Sequence, residues 1–198
     1  MVQVDVTAIR EGVRKRYADA SLSTEGRFQY LTGRPGALAL GYESAMLEKI
    51  PDEVMEVFCG VGNPFALGEV RLGDAVLDVG CGAGVDLLVA AQLAGPSGKV
   101  SGLDLTPEMV DRARENVSQL GVSSVDVRSG AAESMPFEDE TFDVVISNGV
   151  LNLSPLKEDG YREIYRVFWP GGRLQFADIV LKEDLPADIV ASLDSWSD

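Results

Sequence analysis

The sequence contains no histidine and only two cysteines, Cys59 and Cys81. The first absence removes the commonest general base, and with it every Ser-His-Asp or Cys-His mechanism. Two thiols without imidazole cannot build a standard zinc site and are too few for a disulfide framework, so no metal is expected. Long apolar runs are missing as well. No stretch approaches the roughly 18 residues of a membrane span, and the opening MVQVDVTAIREG lacks a basic segment followed by an apolar one. The expectation is a soluble, cytoplasmic protein with no export signal and no membrane partner. Basic residues are scarce, 17 Lys and Arg against 32 Asp and Glu, for a net charge of −15. Scattered without runs, they leave no footprint for a phosphate backbone, which argues against nucleic acid as a partner and for a solvated acidic surface.

What is present fits one core of ordinary size: 198 residues, 45% of them hydrophobic, with no internal repeat. Residues 6–18, VTAIREGVRKRYA, place Val6, Ile9, Val13 and Tyr17 three or four apart, the stripe of an amphipathic helix. Residues 19–42 mix Gly, Ser, Thr and Pro with isolated aromatics and read as an irregular connection. Residues 43–65 carry short helical patterns, broken at Pro51 and again at Gly60, Gly62, Asn63 and Pro64. From residue 75 the pattern becomes regular. AVLDV predicts a buried strand, DLLVAAQLA a helix stopped by Gly95-Pro96, and KVSGLDL a second strand bearing Asp104 near its end. Thr106 and Pro107 mark the start of a helix whose apolar face runs to Leu120 before Gly121. VDVRSG, FDVVIS and RLQFADIVL predict three more strands, the last two separated by a helix from about Leu156 to Phe168, and the acidic tail after them begins another helix. Strands alternating with helices specify an α/β fold, a doubly wound and mostly parallel sheet. The expected division of this single globular unit is a helical lid or extension over residues 1–70 and a ligand-binding core over 71–198.

The stretch LDVGCGAGVD, Leu77 to Asp86, joins the first strand to its helix. In such a sheet the ligand lies beyond the carboxyl ends of the strands. Glycines at 80 and 82 permit a sharp turn and a close approach of backbone to ligand, while the helix that follows offers free N–H groups to an anion. A purely structural turn would give a similar string. A dinucleotide fingerprint would need glycine at position 85, where Val85 stands, which argues against NAD. Asp104 follows about twenty residues later, where a carboxylate can accept two hydrogen bonds from ribose hydroxyls; the alternative is an acid that merely favours the next helix's N-terminus.

Asp-x-Gly-x-Gly-x-Gly at 78–84 resembles the first motif of class I S-adenosylmethionine-dependent methyltransferases. The resemblance implies a Rossmann-like fold, S-adenosylmethionine as cofactor and S-adenosylhomocysteine as product. Gly80, Cys81, Gly82 and Gly84 would carry the methionine portion, with Asp78 either joining them or simply orienting the loop; Asp104 would take the ribose, and Leu105 is expected beside the same cofactor. SGAAESMPF is similar to the family's adenine-contacting segment, although Ala131 and Ala132 stand where an acidic residue is common. The backbone at Ala132 and the side chain of Glu133 are the expected substitutes. Met109 is expected either against the adenine or simply in the core, and Asn148 beside the same ligand.

From about Tyr42 to Asp184 the chain more closely resembles the arsenite methyltransferase family, within the wider group of quinone-biosynthesis-type methyltransferases. GVGNP at 60–64, the long string from Leu77 to Val117, and VVISNGVLNLSP at 144–155 carry this likeness. In that family two cysteines bind arsenic through soft thiolates at the positions that Val61 and Gly149 hold here, so arsenite is not expected as the acceptor. Cys59 is one stand-in, though burial as a small hydrophobe is the plainer reading for it and for Cys81. A small-molecule methyl acceptor then remains, with Asn63, Asn148 and Asn152 as acceptor-side candidates and Tyr17 or Tyr30 folding over as a lid or serving only as packing aromatics. The competing expectation is a catalytically silent binding protein or partner subunit that keeps the cofactor site. The family usually adds a strand hairpin after the fifth strand, whereas the residues after Leu181 read as helical and acidic. That leaves either a trimmed sheet or a fragment, and an exposed fifth strand that would favour a homodimer.

Overall fold

The computed structural model describes residues 5–180 and Lys182. The helix expected in the acidic tail lies outside these residues. The N-terminal region supplies four helices: α1 (Val6–Ala20), α2 (Gly33–Ala39), α3 (Ser44–Leu47) and α4 (Asp52–Met55). The Asp5 side chain caps α1 by accepting the Ala8 N–H at 3.1 Å, and Ile9 and Val13 form its buried stripe. Helix α2 falls inside the stretch expected to be irregular. It is only seven residues long, and its Gly36 packs against the backbone of Leu31 so closely that a side chain would collide there. Bonds from Arg34 to the Leu47 and Ile50 carbonyls and from the Gly33 N–H to that of Phe58, rather than propensity, hold it.

The remainder alternates as expected: β1 (Ala75–Val79), α5 (Val85–Ala94), β2 (Lys99–Asp104), α6 (Pro107–Gln119), β3 (Val125–Ser129), β4 (Phe142–Asn148), α7 (Lys157–Val167) and β5 (Phe168–Ala177). All five strands are parallel, in the order β3-β2-β1-β4-β5. The order reverses between β1 and β4, so the ends of these two strands flank the crevice where such sheets bind ligands. β5 begins five residues earlier than the sequence pattern suggests. Phe168 pairs with Phe142 and Arg173 with Val144, which leaves Trp169–Gly172 as a bulge opposite Asp143.

Alternation along β1 sorts its side chains between two cores. Val76 packs with α5, α6 and the N-terminal helices, in a cluster that includes Leu47, Ile50, Val54, Met55, Phe58 and Phe65. Leu77 and Val79 face the other way, with Phe142, Ile164 and Val167. Helix α5 is buried over most of its surface between sheet and N-terminal region, which explains why its sequence is apolar except for Asp86 and the exposed Gln92. No described helix is long and apolar enough to cross a membrane.

Candidate functional site

The turn after β1 is built on glycines. Gly80 sits at φ +76°, and its N–H and that of Cys81 both donate to the Leu103 carbonyl at the end of β2, at 2.7 and 3.0 Å. A Cβ on Gly80 would lie 2.6 Å from Val150 Cγ1, so the turn admits no side chain there. At Gly82, φ +52°, a Cβ would meet nothing within 4 Å. Backbone there faces open space, the condition for close approach of a ligand. That space is a cavity of about 1090 Å³, its open mouth included, lined by the glycine turn, the ends of β1, β2 and β4, the residues after β3, and α1.

Two carboxylates from adjacent strands meet the turn. Asp104 accepts the Gly82 N–H through Oδ2 at 2.9 Å and the Thr106 N–H through Oδ1 at 2.8 Å. Burial raises its carboxyl above the usual range, and these backbone donors work against that rise. Thr106 occupies the cap position of α6 without making a side-chain cap bond. Asp78 is buried at the end of β1, and its Oδ2 has no hydrogen-bond partner. An orphaned carboxylate oxygen against a cavity asks for a cationic or hydrogen-bonding ligand.

Leu105, Met109, Ala131, Ala132 and Glu133 border the same space. Met109 is also fully buried against Ala20, Val57 and Ala83, so it serves core and cavity together. Glu133 is engaged on both oxygens: Arg10 of α1 donates at 3.1 Å, and Ser154 Oγ donates to the other. This pair ties α1 across the cavity. Tyr17, also on α1, lines it beside Cys59. Burial pushes the Tyr17 hydroxyl up from its usual value and the Cys59 thiol up to about 12, so both are neutral near pH 7. Tyr30 stands outside the lining and donates its hydroxyl to the Cys59 carbonyl at 3.0 Å.

Asn148 closes the far end. Its Oδ1 accepts the N–H groups of Val61 and Gly62 at 2.8 and 3.1 Å, and its Nδ2 donates to Tyr42 Oη, the Gly62 carbonyl and Asp86 Oδ2. Every polar atom of the amide is thus spent on holding the 60–62 loop against β4. Asn63 and Asn152 are not brought into the cavity. Asn63 accepts the Phe65 N–H and donates to the Gly41 carbonyl, and Asn152 has its backbone N–H bonded to Asp178. Val61 and Gly149 stand together: a Cβ on Gly149 would lie 3.3 Å from both Val61 methyls. Sequence reasoning missed Arg10, Tyr42, Asp86 and Ser154. Only Asp86 carries a local signal, an acid among apolar residues directly after the glycine turn.

Residues 71–197 match the family described as "Methyltransferase domain". The chain belongs to the class I S-adenosylmethionine-dependent methyltransferase family. An arsenite methyltransferase of Halobacterium salinarum is 38% identical over 205 residues, 96% of this chain and 52% of the relative. A demethylmenaquinone methyltransferase of Bacillus cytotoxicus is 38% identical over 107 residues, 54% of this chain and 45% of the relative. Among solved structures, an arsenic(III) S-adenosylmethionine methyltransferase from Chlamydomonas reinhardtii superposes with a TM-score of 0.67 at 39% identity, over 74% of this chain and 51% of that one. The chain spans about half the length of the curated relatives it matches most extensively. The cavity fits the methyltransferase family's cofactor on its own chemistry: an orphaned carboxylate oxygen for an ammonium, a bare glycine backbone for the amino-acid arm, and a carboxylate at the end of β2 for ribose hydroxyls.

Proposed function

We propose that this chain binds S-adenosylmethionine in the cavity at the β1/β4 switch point and methylates a small-molecule acceptor. The observation that carries the reading is the convergence of the Gly80–Ala83 turn, the orphaned Asp78 oxygen and Asp104 on one space, whereas Gly84, expected beside them, lies outside the lining and faces Ala113 of α6. In this reading Asp78 takes the ammonium, Asp104 the ribose hydroxyls, and Ala132 with Met109 the base. When bound, the cofactor supplies a methyl group made electrophilic by its sulfonium. The protein's part is then to hold an acceptor in line with that methyl and to keep water out, which needs positioning rather than a base. Helix α1 supplies the cover, with Tyr17 and Arg10 on its inner side, and Asn148 sets the loop that bounds the acceptor end.

The Halobacterium and Chlamydomonas relatives are named for arsenic, but Val61 and Gly149 give this site an apolar contact where paired thiolates would be needed. We therefore favour an acceptor that is not trivalent arsenic and that arrives ready to react, because Tyr17 and Cys59 are both held neutral. The same observation supports a second reading, a silent cofactor-binding subunit. Turnover to S-adenosylhomocysteine with any acceptor separates the two.

The first test is calorimetric titration of the chain with S-adenosylmethionine and S-adenosylhomocysteine, repeated on Asp104→Ala. Loss of two hydrogen bonds to a charged group costs about 3 kcal/mol, roughly a hundredfold in affinity. An unweakened Asp104→Ala variant, or no binding by the intact chain, would overturn the reading.

A further inference from the structure

Asp78 and Asp86 are two buried carboxylates on facing elements, one at the end of β1 and one in the first turn of α5. Their surroundings differ. Asp86 Oδ1 accepts the Tyr42 hydroxyl at 2.6 Å and Oδ2 accepts Asn148 Nδ2 at 3.0 Å, and the N-terminus of α5 also favours a negative charge. Asp78 accepts one backbone N–H, from Leu87, and its Oδ2 has none. Two neighbouring ionised carboxylates are not sustained in an apolar interior; one proton is kept, on the group with fewer donors. Tyr42 is itself fixed, buried edge-on against Phe58 and Phe65 with ring centroids 5.6 and 6.1 Å away.

We propose that Tyr42 is a positioning residue which, with Asn148, keeps Asp86 ionised, so that Asp78 carries the proton and releases it when a ligand's ammonium takes its place. The inference rests on the reading of the cavity as an S-adenosylmethionine site. The exchange balances: one O–H bond breaks, the proton leaves to solvent, and the ammonium restores one positive charge. Asp78 is faced by Asp86 from α5, Asp104 from β2, Cys81 from the glycine turn and Tyr42 from the chain after α2. The same cavity receives Tyr17 and Arg10 from α1, Cys59 from the loop before Gly60, and Glu133, which holds Arg10. Burial raises the Asp78 carboxyl well above its usual range, with Asp86 and Asp104 adding to the rise; in Asp86 the bonds from Tyr42 and Asn148 oppose the same effect.

The test is titration calorimetry of the full chain with S-adenosylhomocysteine, which carries the ammonium without the sulfonium, in two buffers of unequal ionisation enthalpy. We expect about one proton released per ligand and an affinity that rises nearly tenfold per pH unit while Asp78 stays protonated in the free protein. Asp78→Asn, which loses the ion pair with the ammonium, is expected to bind more weakly, at high ligand concentration, with no proton release and a flat pH profile. Tyr42→Phe keeps the ring packing, so a merely structural role leaves the proton count unchanged, whereas the proposal requires it to fall below half. Binding without proton release by the intact chain, release that survives Asp78→Asn, or an unchanged count in Tyr42→Phe overturns the proposal while leaving the cofactor reading intact. No binding by the intact chain overturns both.

Discussion

Gly80→Ala probes how the glycine turn is held. Two separate costs are built into that position: the left-handed backbone at φ +76°, and the overlap of a new Cβ with both methyls of Val150. The first amounts to about 1 kcal/mol for alanine and the second to about 2 kcal/mol, as for an extra carbon forced into a packed site. Val150→Ala alone removes two methyls at a half-buried position and should cost about 1 kcal/mol. In the Val150→Ala background the overlap is gone, and Gly80→Ala should then cost only its backbone share. A double-mutant cycle in urea, read by linear extrapolation, is therefore expected to give a coupling of about 2 kcal/mol. Additivity within about 0.5 kcal/mol would show that Val150 does not press on the turn, and the packing argument for this glycine would fail.

Further outcomes follow from the lid and the carboxyls. Arg10→Ala breaks a part-exposed ion pair, so stability should change by no more than about 1 kcal/mol while amide deuterium uptake over residues 6–20 rises. Unchanged uptake would mean that Ile9 and Val13 alone hold α1 down. Asp78, Asp86 and Asp104 are all raised by burial, so the ligand-free folded chain binds protons more tightly than the unfolded chain at these groups. Their contribution is fully present below the ordinary carboxyl value and lost as pH rises through the raised values. Acidification from pH 8 should first raise the melting temperature, and Asp78→Asn should flatten that rise. Glu163, which Arg166 holds below its usual value, opposes the trend only in more acid solution. A melting temperature that falls from the first step of acidification would contradict the assignment.

The β1-α5-β2-α6 segment was legible because each element declares itself locally: an unbroken apolar strand, glycines at the turn, a proline opening α6. Where structure depends on distant partners the sequence is mute. Helix α2 contains glycine, arginine and proline in its first turn and is held by residues far along the chain: Arg34 donates to the Leu47 and Ile50 carbonyls and the Gly33 N–H to that of Phe58. The start of β5 is hidden by Trp169-Pro170-Gly171-Gly172, a string that reads as a break but is accommodated as a bulge. In the site, Asp78, the glycines and Asp104 follow a spacing tied to strand ends. Tyr42 meets Asp86 and Arg10 meets Glu133 across 44 and 123 residues of chain, separations over which no periodicity operates.

Asn148 has a consequence for where this protein can be divided. The family match begins at residue 71, yet the amide of Asn148 is satisfied largely by Tyr42, Val61 and Gly62, all earlier in the chain. A chain begun at Arg71 would strip those partners away, leave Asp86 without its tyrosine donor, and uncover the apolar outer side of α5 to water. The start of the family match therefore cuts through one packed core and one hydrogen-bonded cluster. Residues before residue 71 and after it are expected to melt together, which calorimetry of the full chain would show as a single transition.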